Sequence, residues 1–195
     1  MIDRAVVGGP LPVAIAAAVA GGVDWIQVRE RELDGRALLE LTNAVTRAAR
    51  SAGPARIVIN RRSDVALAAE ADGVHLGYDA VAPDVARALL GDDALLGRSV
   101  HAPDEIDAAQ GLSYVHLAPV FPPLSKPPER DALGVAAVTA AARRGVPVLA
   151  QGGVDATNAR SLCDAGAAGI AVTGAILMRD DPEAAARALR EAIDG

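Results

Sequence analysis

Short apolar runs alternate with stretches of helical periodicity along the whole chain. Nearly every residue of each run is apolar, which is typical of strands that are buried on both faces of a parallel sheet. The predicted strands are Trp25–Arg29, Arg56–Asn60, Gly73–Leu76, Leu95–Ser99, Tyr114–Ala118, Val146–Ala150 and Gly169–Val172.

Helical stretches lie between these strands, and strict alternation of the two predicts a parallel α/β fold. A weaker strand over Met1–Val7 brings the number of strands to eight, which favours a single closed (β/α)₈ TIM barrel over residues 1–195. The predicted helices are Arg36–Ala52, Ser63–Glu70, Pro83–Leu90, Pro103–Gln110, Val135–Arg144, Ala156–Ala165 and Pro182–Ile193.

The uncharged segment Ala5–Val23 is long enough to raise the question of a membrane span or a signal peptide. Gly8-Gly9-Pro10 interrupts its first half, and Pro12–Val19 suits one helix that ends at Gly21-Gly22. We therefore expect a cytoplasmic protein in which this segment belongs to the folded domain and no membrane is bound.

Composition narrows the classes of function. The net charge of −6 is spread over interleaved acidic and basic residues, and no basic block is present, so we expect no nucleic-acid partner. Cys163 is the single cysteine, which excludes an internal disulfide, and the three histidines show no metal-ligand spacing.

Catalytic residues of such barrels lie where strands end and the following loops begin. Gln27, Arg29 and Arg31 alternate at the end of one strand, which would place them on one side as a clamp for phosphate. The same residues also fit a solvated charge run in which the arginines pair with Glu30 and Glu32.

Further polar residues follow the later strands. Gln151-Gly152-Gly153 and Thr173-Gly174 follow the last two, where barrels commonly bind phosphate through backbone N–H groups, although the glycines also suit tight turns. We expect His75 to be a hydrogen-bonded interior histidine and His116 to pack against helices or a neighbouring backbone. The other candidates are Asn60, Arg61, Tyr78, Asp79, Ser99, Ser125 and Lys126.

Seven motifs in order along the chain resemble those of the thiamine phosphate synthases and their sister group, the thiazole tautomerases. The resemblance covers essentially the whole chain. The motifs read IQVRER, IVINRRSDVAL, ADGVHLGYD, LGRSVHAPDE, YVHLAPVFPPLSK, VPVLAQGGV and AGIAVTGAI.

The resemblance implies an enzyme of thiamine biosynthesis whose ligands are small phosphorylated pyrimidines and thiazoles. A synthase of this kind joins hydroxymethylpyrimidine pyrophosphate to thiazole phosphate, with Arg29, Ser99 and Lys126 as the implied catalytic residues. A homodimer is compatible with it. The implied pyrophosphate and pyrimidine residues are Gln27, Arg31, Asn60, Arg61 and Tyr78; Ser125 would line the thiazole, and Gln151, Gly152, Gly153, Thr173 and Gly174 would bind its phosphate.

Departures from the family pattern leave alternatives open. The synthases carry a metal-binding Asp where this chain has Arg61, so Asp79 is the one remaining candidate ligand for Mg²⁺. Some tautomerases use a histidine where this chain has Pro119. A synthase-like transferase ranks first, a tautomerase second, and a barrel that binds a phosphorylated ligand without catalysis third.

Overall fold

Seven parallel strands form one sheet in a computed structural model that describes residues 1–2, 7, 9–77, 80–109, 111–122 and 131–195. The strands are hydrogen-bonded in chain order from β1 to β7. Their bounds are β1 Trp25–Val28, β2 Arg56–Asn60, β3 Gly73–Leu76, β4 Leu95–Val100, β5 Tyr114–Leu117, β6 Val148–Gln151 and β7 Gly169–Ala171.

Helices connect the strands and cover the outer face of the sheet. The sequence marks where several of these helices begin. Asp34 and Asp181 cap the N-termini of the helices at Gly35–Ala52 and Pro182–Asp194 through their carboxylates, and Pro83 is the first residue of the helix at Pro83–Leu90. The helices are α1 Leu11–Ala20, α2 Gly35–Ala52, α3 Ser63–Ala68, α4 Pro83–Leu90, the 3₁₀ helix Pro103–Ala109, α5 Gly134–Ala142, α6 Ala159–Asp164, α7 Gly174–Leu177 and α8 Pro182–Asp194.

The sheet is strongly curled, so that strands distant in the order meet across its concave face. The ring of Trp25 on β1 packs edge-on against the ring of Tyr114 on β5, with 5.2 Å between their centroids. Contact across three intervening strands requires curvature of the kind found in half of a barrel. The concave face is therefore an interior that is lined by side chains from several strands.

The prediction of a closed eight-stranded barrel is wrong: the described residues form an open, curled half-barrel of seven strands. At the gap between β1 and β7, Ile2 makes an isolated bridge to Val28, and the amino group of Met1 donates to Val172 O at 2.9 Å. A single bridged pair does not make a strand, because a ladder needs several successive pairs. Residues 3–6 of the predicted first strand lie outside the described residues.

The predicted helix at Pro12–Val19 is confirmed as α1, which packs against α2 and α8. Leu11, Ile15 and Val19 of this helix are buried in the core. Among the described residues, no helix is both long enough and apolar enough to cross a membrane.

Candidate active site

Gln27 and Asn60 meet on the concave face, at the carboxyl ends of β1 and β2. The side-chain amide of Gln27 donates to Asn60 Oδ1 at 3.3 Å, and Gln27 is 7% exposed. Its own Oε1 is buried and accepts no hydrogen bond from the described residues. The structure thus joins two residues that the sequence predicts for the same site.

Ser99 is held by an interior histidine on the neighbouring strand. His75 Nε2 lies 2.9 Å from Ser99 Oγ, and His75 Nδ1 lies 3.2 Å from the hydroxyl of Tyr114. His75 is almost fully buried, which confirms the prediction of a hydrogen-bonded interior histidine. Because Asn60 is paired in register with His75, polar residues form a continuous line across β1, β2, β3 and β4.

His116 extends this line onto β5, and the prediction that it packs against helices or a neighbouring backbone is wrong. Its ring lies 4.4 Å from the ring of His75, centroid to centroid. Alternation explains the placement, since the strand begins with Tyr114 and residues 114 and 116 share a face. Once the strand is taken to begin at Tyr114, the sequence alone predicts that residues 114 and 116 lie on the same face of the sheet.

Burial keeps the interior rings uncharged. Burial lowers the pKa of His75 to about 4, and the nearby positive charge of Arg29 lowers it in the same direction. The pKa of His116 lies well below its ordinary value, chiefly because of burial, with smaller contributions from His75 and from the terminal amino group. Burial also raises the pKa of the Tyr114 phenol, so all three rings are neutral near pH 7.

The predicted arginines occupy different environments. Arg29 comes directly after β1 and is half-buried. Its positive charge is close enough to His75 to lower the pKa of the His75 ring. Arg31 is exposed, because the strand ends at Val28 and the alternation does not continue to that residue. Arg61 directly follows β2 and has a left-handed backbone (φ 70°). Its backbone N–H donates to His75 O at 2.8 Å, which places Arg61 beside the carboxyl end of β3.

The loops after β6 and β7 lie side by side, because Gln151 pairs in register with Ala171. Gly152 O accepts a hydrogen bond from Phe121 N, so the N–H of Gly153, on the opposite side of that peptide plane, points away from the loop after β5. At the start of α7, the N–H groups of Ile176 and Leu177 both bond to Thr173 O. The N–H groups before them point out of the first turn, as in any helix.

Close packing also requires glycine in the loop after β6. Gly153 has a φ of 62°, and a Cβ there would lie 2.3 Å from Pro122 O. Gly152, with a φ of 94°, and Gly153 therefore form a tight turn, which is compatible with phosphate binding by the same backbone.

Four predicted site residues lie outside the described residues: Tyr78, Asp79, Ser125 and Lys126. Within the part of the chain that is described, no group of three or more histidine, cysteine, aspartate or glutamate side chains is placed to hold a metal ion.

Comparison with known proteins assigns the family. Residues 2–176 match the family model described as thiamine monophosphate synthase. A putative thiamine-phosphate synthase of Geobacter sulfurreducens is 42% identical over 96% of this chain and 89% of its own length. The thiamine-phosphate synthase of Moorella thermoacetica is 38% identical over 95% of this chain and 90% of its own length. The chain belongs to the thiamine monophosphate synthase family, whose members named here are enzymes of thiamine biosynthesis.

Solved structures agree on the fold. A thiamine phosphate pyrophosphorylase from Pyrococcus furiosus superposes with a TM-score of 0.86 at 29% identity, covering 98% of this chain and 92% of that one. A 3-hexulose-6-phosphate synthase gives a TM-score of 0.68 at 25% identity, covering 93% of each chain. The fold of this chain is thus similar to the folds of both solved structures.

Proposed function

We propose that this protein is a thiamine phosphate synthase, which joins hydroxymethylpyrimidine pyrophosphate to thiazole phosphate and releases pyrophosphate. The observation that carries the proposal is the polar line from Gln27 through Asn60 and His75 to Ser99, with the charge of Arg29 beside it. The names of the similar proteins favour the synthase over the tautomerase.

In the proposed reaction, the bond between the pyrimidine methylene carbon and the pyrophosphate oxygen breaks, and the electron pair leaves with pyrophosphate. The lone pair of the thiazole nitrogen then forms the new C–N bond. Negative charge grows on the leaving group, so fixed cations stabilise the transition state more than the ground state. We assign this role to Arg29, with Arg31 and Lys126 as further cations that the family resemblance implies.

The polar line would orient the pyrimidine. Ser99 and Asn60 offer a hydroxyl and an amide at the carboxyl ends of their strands, and Gln27 holds Asn60 in place. The low pKa of His75 matters here, because a neutral ring adds no charge that would compete with Arg29 for the anion. Arg61 and Tyr78 are assigned to the same end of the site, and Ser125 to the thiazole.

The thiazole phosphate would bind at the adjacent loops after β6 and β7. Backbone N–H groups of Gly153 and of the first turn of α7 provide anion donors, together with the Thr173 hydroxyl. We assign Gly152 and Gly174 to the same site because their loops follow neighbouring strands, and Gln151 because it ends β6 in register with Ala171.

Magnesium fits the described residues poorly. Mg²⁺ prefers several oxygen ligands, usually with one or two carboxylates, and Arg61 occupies the position of the expected carboxylate. Asp79, the remaining candidate ligand, lies outside the described residues. We propose instead that Mg²⁺ binds this chain weakly unless pyrophosphate is present.

Arg29→Gln tests the leaving-group assignment. Loss of one cation at a developing charge is expected to lower kcat by about 10²-fold or more, by analogy with losing one oxyanion donor. Arg56→Gln is the matched control, since Arg56 is exposed at the opposite end of β2. Equal turnover in the Arg29 and Arg56 variants would contradict the assignment.

A further inference from the structure

The Tyr114 hydroxyl is a buried donor whose partner on the concave face is one ring nitrogen. Tyr114 is 2% exposed, and His75 Nδ1 lies 3.2 Å from its oxygen. If Nδ1 carried the proton, the Tyr114 oxygen would accept a hydrogen bond from Nδ1–H. The hydrogen of the Tyr114 hydroxyl would then have no acceptor among the side-chain contacts of the described residues. A buried donor without an acceptor is unfavourable, so the phenol donates and Nδ1 accepts.

That arrangement fixes the second ring nitrogen. A neutral imidazole carries one proton, and with Nδ1 as acceptor the proton is on Nε2. Nε2–H then donates to Ser99 Oγ at 2.9 Å. Because the serine oxygen already accepts this bond, its own hydrogen remains available for a second acceptor.

We propose that Tyr114 and His75 are positioning residues that make Ser99 a hydrogen-bond donor towards an acceptor atom of the anionic pyrimidine pyrophosphate substrate. The inference rests on the proposed function for the identity of that substrate, whereas the protonation pattern stands on the geometry alone. The other tautomer would make Ser99 donate to His75 and face the substrate as an acceptor, which suits an anion poorly. The charge of Arg29 beside His75 agrees with an anion at this end.

Nitrogen NMR of the histidine rings tests the protonation pattern without any assay of activity. The chain has three histidines, so ¹⁵N-labelled histidine gives few signals to assign. We expect a protonated Nε2 and an unprotonated Nδ1 for His75 at pH 7.5, and a shift towards a mixture in Tyr114→Phe. A protonated Nδ1 in the unmodified protein would overturn the proposal whether or not the protein is a synthase.

Two substitutions of His75 test the effect on Ser99. Glutamine places an amide near the position of Nε2 and keeps a donor to Ser99, whereas asparagine reaches only the position of Nδ1. We expect His75→Asn to lower kcat about tenfold with little change in KM, and His75→Gln to stay within about threefold of the unmodified enzyme. Equal losses in both variants would show a packing role and overturn the inference.

The double variant Ser99→Ala with His75→Asn completes the test. If His75 acts through Ser99, the double variant loses no more turnover than Ser99→Ala alone, because the two residues share one effect. Additive losses would contradict action through Ser99. If neither the unmodified protein nor any variant shows synthase turnover, the proposed function fails. The NMR result still decides the protonation pattern of His75 in that case.

Discussion

Gly97 lies directly beneath the ring of Tyr114, its register partner on the next strand. A Cβ at Gly97 would sit 2.0 Å from Tyr114 Cζ, so no other residue fits without displacing the ring. Gly97→Ala is expected to lower the free energy of unfolding by about 1–3 kcal/mol through overpacking, measured by urea denaturation. Gly9→Ala is the control, because a Cβ at Gly9 meets nothing within 4 Å.

The same substitution also affects the site, since the displaced ring is the hydrogen-bond partner of His75. Gly97→Ala should therefore reduce turnover even under conditions in which it remains folded. A Gly97 variant as stable as the Gly9 variant would show that the sheet is not packed around Tyr114 as described.

A negative charge at the loop after β7 should abolish binding of the phosphorylated thiazole. Thr173→Glu places a carboxylate beside the proposed phosphate and repels it, while the half-buried position leaves the fold intact. Calorimetric titration with thiazole phosphate measures the effect. Ala140→Glu adds the same charge on the exposed face of α5 and serves as the control; equal affinity in the two variants rules out the site.

Stability should fall as the pH drops from about 6.5 to about 4. The unfolded chain gives His75 its ordinary pKa of 6.5, whereas the folded protein lowers it to about 4. In that window the unfolded state binds the proton more readily, so the free energy of unfolding decreases by up to about 1.4 kcal/mol per pH unit for one such histidine. His116 acts in the same direction.

Urea denaturation between pH 7.5 and 4.5 measures this dependence. His75→Gln removes the titrating ring, so its curve should be flatter than that of the unmodified protein. His101→Gln is the comparison, since His101 lies at the rim and its Nδ1 bonds to Ala118 O. Identical slopes in the His75 variant and the unmodified protein would contradict the assignment.

The sequence predicted the seven strands well, because each is an apolar run bounded by polar or small residues. It also predicted that Asn60 and Ser99 lie at the carboxyl ends of their strands, as they do in the structure. The boundary at Val146 was wrong because β6 begins only after Pro147, which cannot donate to a ladder.

The sequence did not predict the contacts between non-adjacent strands, because these contacts depend on the curvature of the sheet. The ring contacts of Trp25 with Tyr114 and of His75 with His116 arise because the sheet curls and brings non-adjacent strands together. Local periodicity carries no information on that curl. The closed barrel was predicted by counting strands, whereas closure depends on pairing at the two edges.

Arg61→Asp tests the interpretation of the metal site. Two unit charges about 4 Å apart interact by about 4 kcal/mol at an intermediate effective dielectric, so an arginine there opposes a divalent cation. Restoring the carboxylate should tighten Mg²⁺ binding measured by calorimetry in the absence of pyrophosphate. Tight binding to the unmodified protein would show that Arg61 is no obstacle.

Product formation from the two proposed substrates tests the synthase assignment most directly. The purified protein is incubated with hydroxymethylpyrimidine pyrophosphate and thiazole phosphate, with and without Mg²⁺, and thiamine phosphate and pyrophosphate are quantified together. We expect equal amounts of both products from the unmodified protein, and formation of both about 10²-fold slower or more in Arg29→Gln. Isomerisation of a thiazole phosphate precursor without thiamine phosphate, or binding of the substrates with no product under either condition, would contradict the synthase assignment.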